Sequence, residues 1–215
     1  MMQTYKSQSD IDLAVEVLAA EDEGMARVYA EYGSPPLRSG QSGFEGLVGL
    51  LISQQVSTKA AAAIHARFHA EFPNAVPRDV LAASDEALAA CGLSRPKQRY
   101  LRILAQAIDS GQLDIDKMAE AEDDKIFAEL TALVGIGPWT ADCYLLFNLG
   151  RRDRFPAGDL ALQEGYRLLY SLNARPDAKQ LAGLAERFQP HRAAAARMIW
   201  HFYDGERAKV KLLKQ

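Results

Sequence analysis

Leu130-Thr131-Ala132-Leu133-Val134-Gly135-Ile136-Gly137-Pro138-Trp139-Thr140-Ala141 is the stretch on which the reading of the fold turns. Helical residues lead into a turn with glycine on both sides of an aliphatic residue. A proline follows, where a helix tolerates it because the N–H in its first turn has no partner anyway. The stretch predicts two helices joined by a tight turn. Gly135 and Gly137 are expected to take backbone angles closed to other residues. Ile136 is expected to plug back between the helices. The second helix then presents unpaired N–H groups and the positive end of its dipole. Such an end binds one phosphate without a charged side chain, and Gly135, Gly137 and Thr140 are the predicted backbone contacts. Gly-x-Gly alone fits an ordinary glycine-capped turn between helices better than a ligand site.

Outward from the hairpin, strand signals are nearly absent, alanine is abundant and apolar residues recur at helical spacing. The pattern predicts an all-α protein. Helices are expected near 9–20, 22–32, 44–52, 58–71 and 122–133, with a short one between an N-cap at Ser84 and Gly92. Another runs from its cap at Ser94 to near Gly111, and the second hairpin helix runs to about Leu149. Helices near 159–171, 177–188 and 190–204 follow, then a basic tail with Lys209, Lys211 and Lys214.

The totals set bounds. The chain has 215 residues, of which 48% are hydrophobic, enough to bury a core. Its net charge of −3 argues against binding nucleic acid through a broad basic surface. It leaves room for a grip through backbone N–H groups and local cations. Cys91 and Cys143 form no ligand cluster, so no disulfide framework or iron–sulfur site is expected. No apolar run reaches transmembrane length and the N-terminus has no signal-peptide core. The expectation is a soluble, cytoplasmic protein with no membrane partner. His65, His69, His191 and His201 show no metal-ligand pattern.

Several residues admit two readings. Asp159, at a predicted helix start after Arg154-Phe155-Pro156-Ala157-Gly158, reads as an N-cap, a role that does not exclude chemistry. Asp142 and Asp153 compete with it by composition only. Trp139 is a core aromatic or part of a pocket, and so is Trp200. Gln54 and Gln55 read as a polar turn between helices. Arg95, Lys97 and Arg99 either face DNA or form a solvated helix end.

The hairpin and the Phe155-Pro156-Ala157-Gly158-Asp159 loop together resemble the helix-hairpin-helix (HhH-GPD) superfamily of DNA glycosylases, over roughly residues 42–204. Within it, the chain is similar to the 3-methyladenine DNA glycosylase II branch. The resemblance implies a two-lobed helical fold without the N-terminal β-domain of some relatives. One lobe would be 43–151 and the other 1–42 with 152–215, with an active-site cleft between them.

The resemblance also implies roles. Asp159 matches the catalytic carboxylate, which stabilises oxocarbenium character on the sugar and orients or deprotonates the attacking water. Members that cut the strand carry a lysine nucleophile where this chain has Trp139. A monofunctional enzyme acting on double-stranded DNA that contains damaged bases is therefore implied. Trp139 and Trp200 would line the base pocket and attract cationic alkylated purines of the 3-methyladenine and 7-methylguanine type. Cys143 and Leu160 stand where a relative has tyrosines, so a less aromatic pocket is expected. Gln55, with Gln54 beside it, matches the wedge that fills the gap left by a flipped base. The carbonyls of Thr131, Leu133 and Ile136 match a site for a structural Na+ or K+, with no other cofactor required. A monomer is expected. Three alternatives stay open at this stage: a glycosylase of the same family for uracil, hypoxanthine or another neutral lesion; a non-catalytic hairpin DNA-binding protein; and a helical interaction scaffold.

Overall fold

In the computed structural model, which describes residues 4–212, α1 (Gln8–Glu21) and α2 (Glu23–Tyr32) come first. They are followed by α3 (Gly43–Ser53), α4 (Thr58–Glu71), α5 (Pro77–Ala82), α6 (Asp85–Ala90) and α7 (Arg95–Asp109). Next come α8 (Ile115–Met118), α9 (Asp123–Thr131) and α10 (Pro138–Cys143), which runs on as a π-helical turn over Tyr144–Asn148. The last helices are α11 (Leu160–Leu169), α12 (Ala178–Ala185) and α13 (Arg192–Leu212). Among the described residues there is no strand, only an isolated antiparallel bridge between Thr4 and Arg151. The all-α class is the one the spacing predicts.

The helices divide into two units. One runs up to Ser39 and resumes at Gly150, and the other is Gly40–Leu149. In the first, α1 and α2 pack on each other and on α13, and α13 packs along α11. Ile11, Val15, Met25, Val28, Leu162 and Ile199 are among its fully buried apolar residues. Ala193, Ala194, Ala195 and Ala196 are each 0% exposed, so the start of α13 offers its neighbours little more than backbone and methyl groups.

In the second unit, α3, α4, α6, α7, α9 and α10 surround a core that includes Leu47, Leu51, Phe68, Leu88, Leu101, Leu104 and Tyr144. The hairpin closes one side of that core. Ile136 is buried in it, as predicted, and Val134 faces outward. Gly135 has φ +99°, and a β-carbon there would lie 2.2 Å from Cγ of Tyr100 on α7. Gly137 departs from the expectation. Its φ of −92° and ψ of 177° are open to any residue, and a β-carbon there would meet nothing within 4 Å. Its value is an unobstructed approach to the backbone, not an unusual conformation.

Other departures have physical causes. Helices α5 and α8 are short and were not expected. In α5, Pro77 opens the helix and the Asp79 carboxylate takes the N–H of Val76. The second hairpin helix widens after Cys143, so that Leu149 N–H reaches the Tyr144 carbonyl. That turn brings the Phe147 carbonyl to Gly40 N–H and the Asn148 amide to the Gln41 carbonyl. Helix α13 continues past residue 204 to Leu212. Gly205, where the predicted helix ended, is a packing position, because a β-carbon there would sit 2.2 Å from the Tyr32 ring. Ser94 occupies the N-cap position of α7 but makes no side-chain cap bond. Lys214 of the basic tail lies outside the described residues.

The two hairpin glycines therefore differ in what they tolerate. Gly135→Ala must move the Tyr100 ring and hold a left-handed alanine, and is expected to cost about 3 kcal/mol. Gly137→Ala is expected to cost under about 1 kcal/mol. Urea unfolding of the two variants checks the contrast, and equal losses would contradict it.

Candidate active site

The loop that carries Asp159 is held before α11 begins. Gly150 accepts the Tyr5 N–H at 2.8 Å, and Arg152 accepts the Ala193 N–H at 3.0 Å. Phe155, Pro156 and Ala157 are buried. The Ala157 carbonyl takes the side-chain amide of buried Gln163 at 2.9 Å. Asp159 N–H donates to the Pro156 carbonyl at 2.8 Å. The Phe-Pro context thus fixes the chain on both sides of one half-buried carboxylate.

Asp159 is the N-cap of α11, as its position at a helix start suggested. Its Oδ1 accepts the backbone N–H groups of Ala161 at 2.9 Å and Leu162 at 3.0 Å. The same oxygen accepts the indole N–H of Trp200 at 3.0 Å. Three donors on one oxygen fix the plane in which the carboxylate lies. The bond to Trp200 depends on a close approach of α11 and α13. A β-carbon on Gly165 would lie 2.8 Å from Cγ2 of Ile199. Sequence reading placed Trp200 beside a pocket and missed this bond. A glycine inside the predicted helix was the available signal for the approach. Asp153, a competitor by composition, is taken up in a two-pronged pair with Arg192 at 2.8 and 2.9 Å. One turn before Trp200, buried Arg197 donates to the Arg38 carbonyl at 3.0 Å, and burial pushes its guanidinium down to about 10.

The hairpin residues lie in the second unit. Trp139 is half-buried in the first turn of α10. Thr140 is 2% exposed and its hydroxyl accepts the Gln54 amide at 2.9 Å. Its side chain therefore supports the hairpin from within, and the contact expected of Thr140 with a phosphate is one of its backbone. Cys143, expected in a base pocket, is buried at the end of α10. Leu160, its expected companion, is 62% exposed in the first turn of α11.

The two glutamines of the Ser53–Ser57 turn do different work. The Gln54 amide donates to the Gly135 carbonyl and to the Thr140 hydroxyl, each at 2.9 Å, tying the turn to the hairpin. Gln55 is exposed with φ +56°, a left-handed conformation seldom held by a residue other than glycine. The predicted basic cluster is also split. Arg95 and Arg99 are exposed, whereas Lys97 is buried and donates to the Ile52 carbonyl at 2.6 Å. Burial lowers the Lys97 ammonium from its usual range. His65 and His69 are half-buried and their rings stack. Among the described residues, no group of three or more His, Cys, Asp or Glu is placed to hold a metal ion. No helix there is long and apolar enough to cross a membrane.

The comparisons with known proteins agree on one family. Residues 48–190 match the model of the HhH-GPD superfamily of base excision DNA repair proteins. The chain is 35% identical to DNA-3-methyladenine glycosylase 1 of Schizosaccharomyces pombe over 73% of its own length and 71% of that protein. Its fold is similar to the structure of a Schizosaccharomyces pombe 3-methyladenine DNA glycosylase in complex with abasic DNA. That match has a TM-score of 0.79 and 31% identity, and covers 87% of this chain and 95% of the other. A DNA-3-methyladenine glycosidase from Bacillus halodurans has a TM-score of 0.75 and 31% identity, covering 94% of this chain and 92% of the other.

The cap and any chemistry at Asp159 are separable by substitution. Asparagine retains an oxygen that can accept the same N–H groups, so Asp159→Asn is expected to leave stability within about 0.5 kcal/mol. Asp159→Ala removes the cap and is expected to lose about 1 kcal/mol. Chemical denaturation checks both, and a large loss for asparagine would show that the charge itself is structural.

Proposed function

The chain belongs to the HhH-GPD superfamily of base excision DNA repair proteins, and on that footing we propose that it is a monofunctional DNA glycosylase that excises alkylated bases. The observation that carries the reading is the Asp159 carboxylate held in one plane by Ala161, Leu162 and Trp200. Breaking an N-glycosidic bond places positive charge on the sugar. A fixed carboxylate stabilises that charge without reorganising and orients or deprotonates the water that attacks it. Trp200 ties its indole edge to the catalytic group and offers its face to a base. The indole rings of Trp200 and of Trp139 are each electron-rich and suit the positive charge of 3-methyladenine or 7-methylguanine. That charge also weakens the bond to be broken, so little acid catalysis is required. Tryptophan at residue 139 has no amine for a Schiff base, which leaves water as the nucleophile.

The partner is double-stranded DNA. We assign the phosphate grip to the open backbone around Gly137, which needs no basic surface, and this suits a chain of net charge −3. Gln55 is the wedge that enters the helix when the damaged base turns out. The turn between α9 and α10 offers the uncharged carbonyls of Thr131, Leu133 and Ile136, donors that suit Na+ or K+ better than a divalent ion. The Leu133 carbonyl already takes Ile136 N–H at 3.1 Å, which shapes the turn without an ion. An ion bound there would hold the hairpin's shape and take no part in the chemistry. We place the enzyme inside the cell as a monomer.

The test is base release from methylated duplex DNA. The parent protein is expected to liberate alkylated purines and leave abasic sites that break only on heating or added base. Asp159→Asn is expected to slow release by about 100-fold or more. Equal release by both proteins would remove Asp159 from catalysis. Prompt strand cleavage by the parent would contradict the water mechanism.

A further inference from the structure

We infer that Lys97 and Gln54 are positioning residues that hold Gln55 outward, ready for insertion, at a fixed distance from the hairpin. The inference rests on the reading of Gln55 as the wedge. The turn that bears Gln55 is fastened on three sides. At its start, the Ile52 carbonyl is among the last four of α3, which have no partner inside the helix. The Lys97 ammonium reaches it through the core from α7, at 2.6 Å. In the middle, the Gln54 amide binds the Gly135 carbonyl and the Thr140 hydroxyl. At its end, the Ser57 hydroxyl caps α4 by accepting the Ala60 N–H at 3.2 Å. Gln55 is exposed between these anchors in a left-handed conformation.

A buried ammonium gives up its hydration and is seldom kept without a reason. An apolar side chain would fill the same space, but it would leave the end of α3 without a donor. The left-handed Gln55 points to the reason. A residue other than glycine persists in that region only when its surroundings determine it, and Lys97 and Gln54 supply two of those surroundings. A wedge set in advance loses less freedom on entering DNA than one that must first be ordered. The Gln54 link adds register, because it fixes the wedge relative to the hairpin that grips a phosphate. The base to be turned out then lies a set number of steps from that phosphate.

Single-turnover release of 7-methylguanine from methylated duplex DNA tests this, comparing the parent, Lys97→Met, Gln55→Ala and the double variant. Lys97→Met and Gln55→Ala are each expected to slow release by about 10-fold, and the double variant to be within about 2-fold of Gln55→Ala. That pattern means that Lys97 acts through the wedge, which a purely structural lysine would not produce. Equal slowing by Lys97→Met in both backgrounds, or no slowing in either, overturns the inference. A parent that releases no base sinks the glycosylase reading itself. A Gln55→Ala variant as fast as the parent sinks the wedge, and this inference with it. If thermal melting shows Lys97→Met to be unfolded, Gln54→Leu takes its place in the same cycle with the same expected pattern.

Discussion

How closely α11 and α13 approach decides where the carboxylate of this protein sits and what touches it. Gly165 leaves no side chain between the helices, and the alanines that open α13 keep its first turn slim. At that spacing the Trp200 indole meets Asp159. A larger residue at 165 would push on Ile199, one residue before Trp200. The bond therefore depends on backbone packing far more than on any property of the tryptophan. The same carboxylate closes the exposed end of α11, so one group serves the fold and is available to the chemistry. Natural proteins commonly accept such double duty at functional sites.

The second unit solves a different problem. An acidic chain that acts on DNA cannot rely on a broad basic surface, and the proposed grip uses backbone instead. The hairpin allows it, because Gly135 lies flat against Tyr100 and Gly137 leaves the backbone open. The side chains behind the turn are then tied to each other. Gln54 joins the hairpin to the turn after α3, and Lys97 supports the end of α3 from α7. A residue whose charge suggested contact with DNA turns out to serve the interior.

Much of the fold was legible because its signals are local. Helical spacing, the proline at the start of α10 and the Gly-x-Gly turn are read within a few residues of one another. The cap role of Asp159 was legible because aspartate is a favoured residue at a helix start. What stayed hidden was long-range. The Trp200 bond spans α11 and α13, the Lys97 bond spans α7 and α3, and the Gln54 bonds reach from one turn to another. Charge alone could not say that Arg95 and Arg99 face solvent while Lys97, on the same helical turn, faces the core. Gly137 was read as a conformational requirement and is an opening, and Gly205, just past the expected helix near 190–204, is a packing site against Tyr32. In each case the neighbour that explains the residue is distant in the chain.

The proposed chemistry requires Asp159 to face positive charge on the sugar as the base departs. Its most direct measurement is the affinity for two duplexes, one with a cationic pyrrolidine in place of the damaged nucleotide and one with a neutral tetrahydrofuran. The parent is expected to prefer the cationic duplex by about 100-fold, and Asp159→Asn to lose nearly all of that preference while binding the neutral duplex as before. A preference of the same size in both proteins would contradict the central role given to this carboxylate.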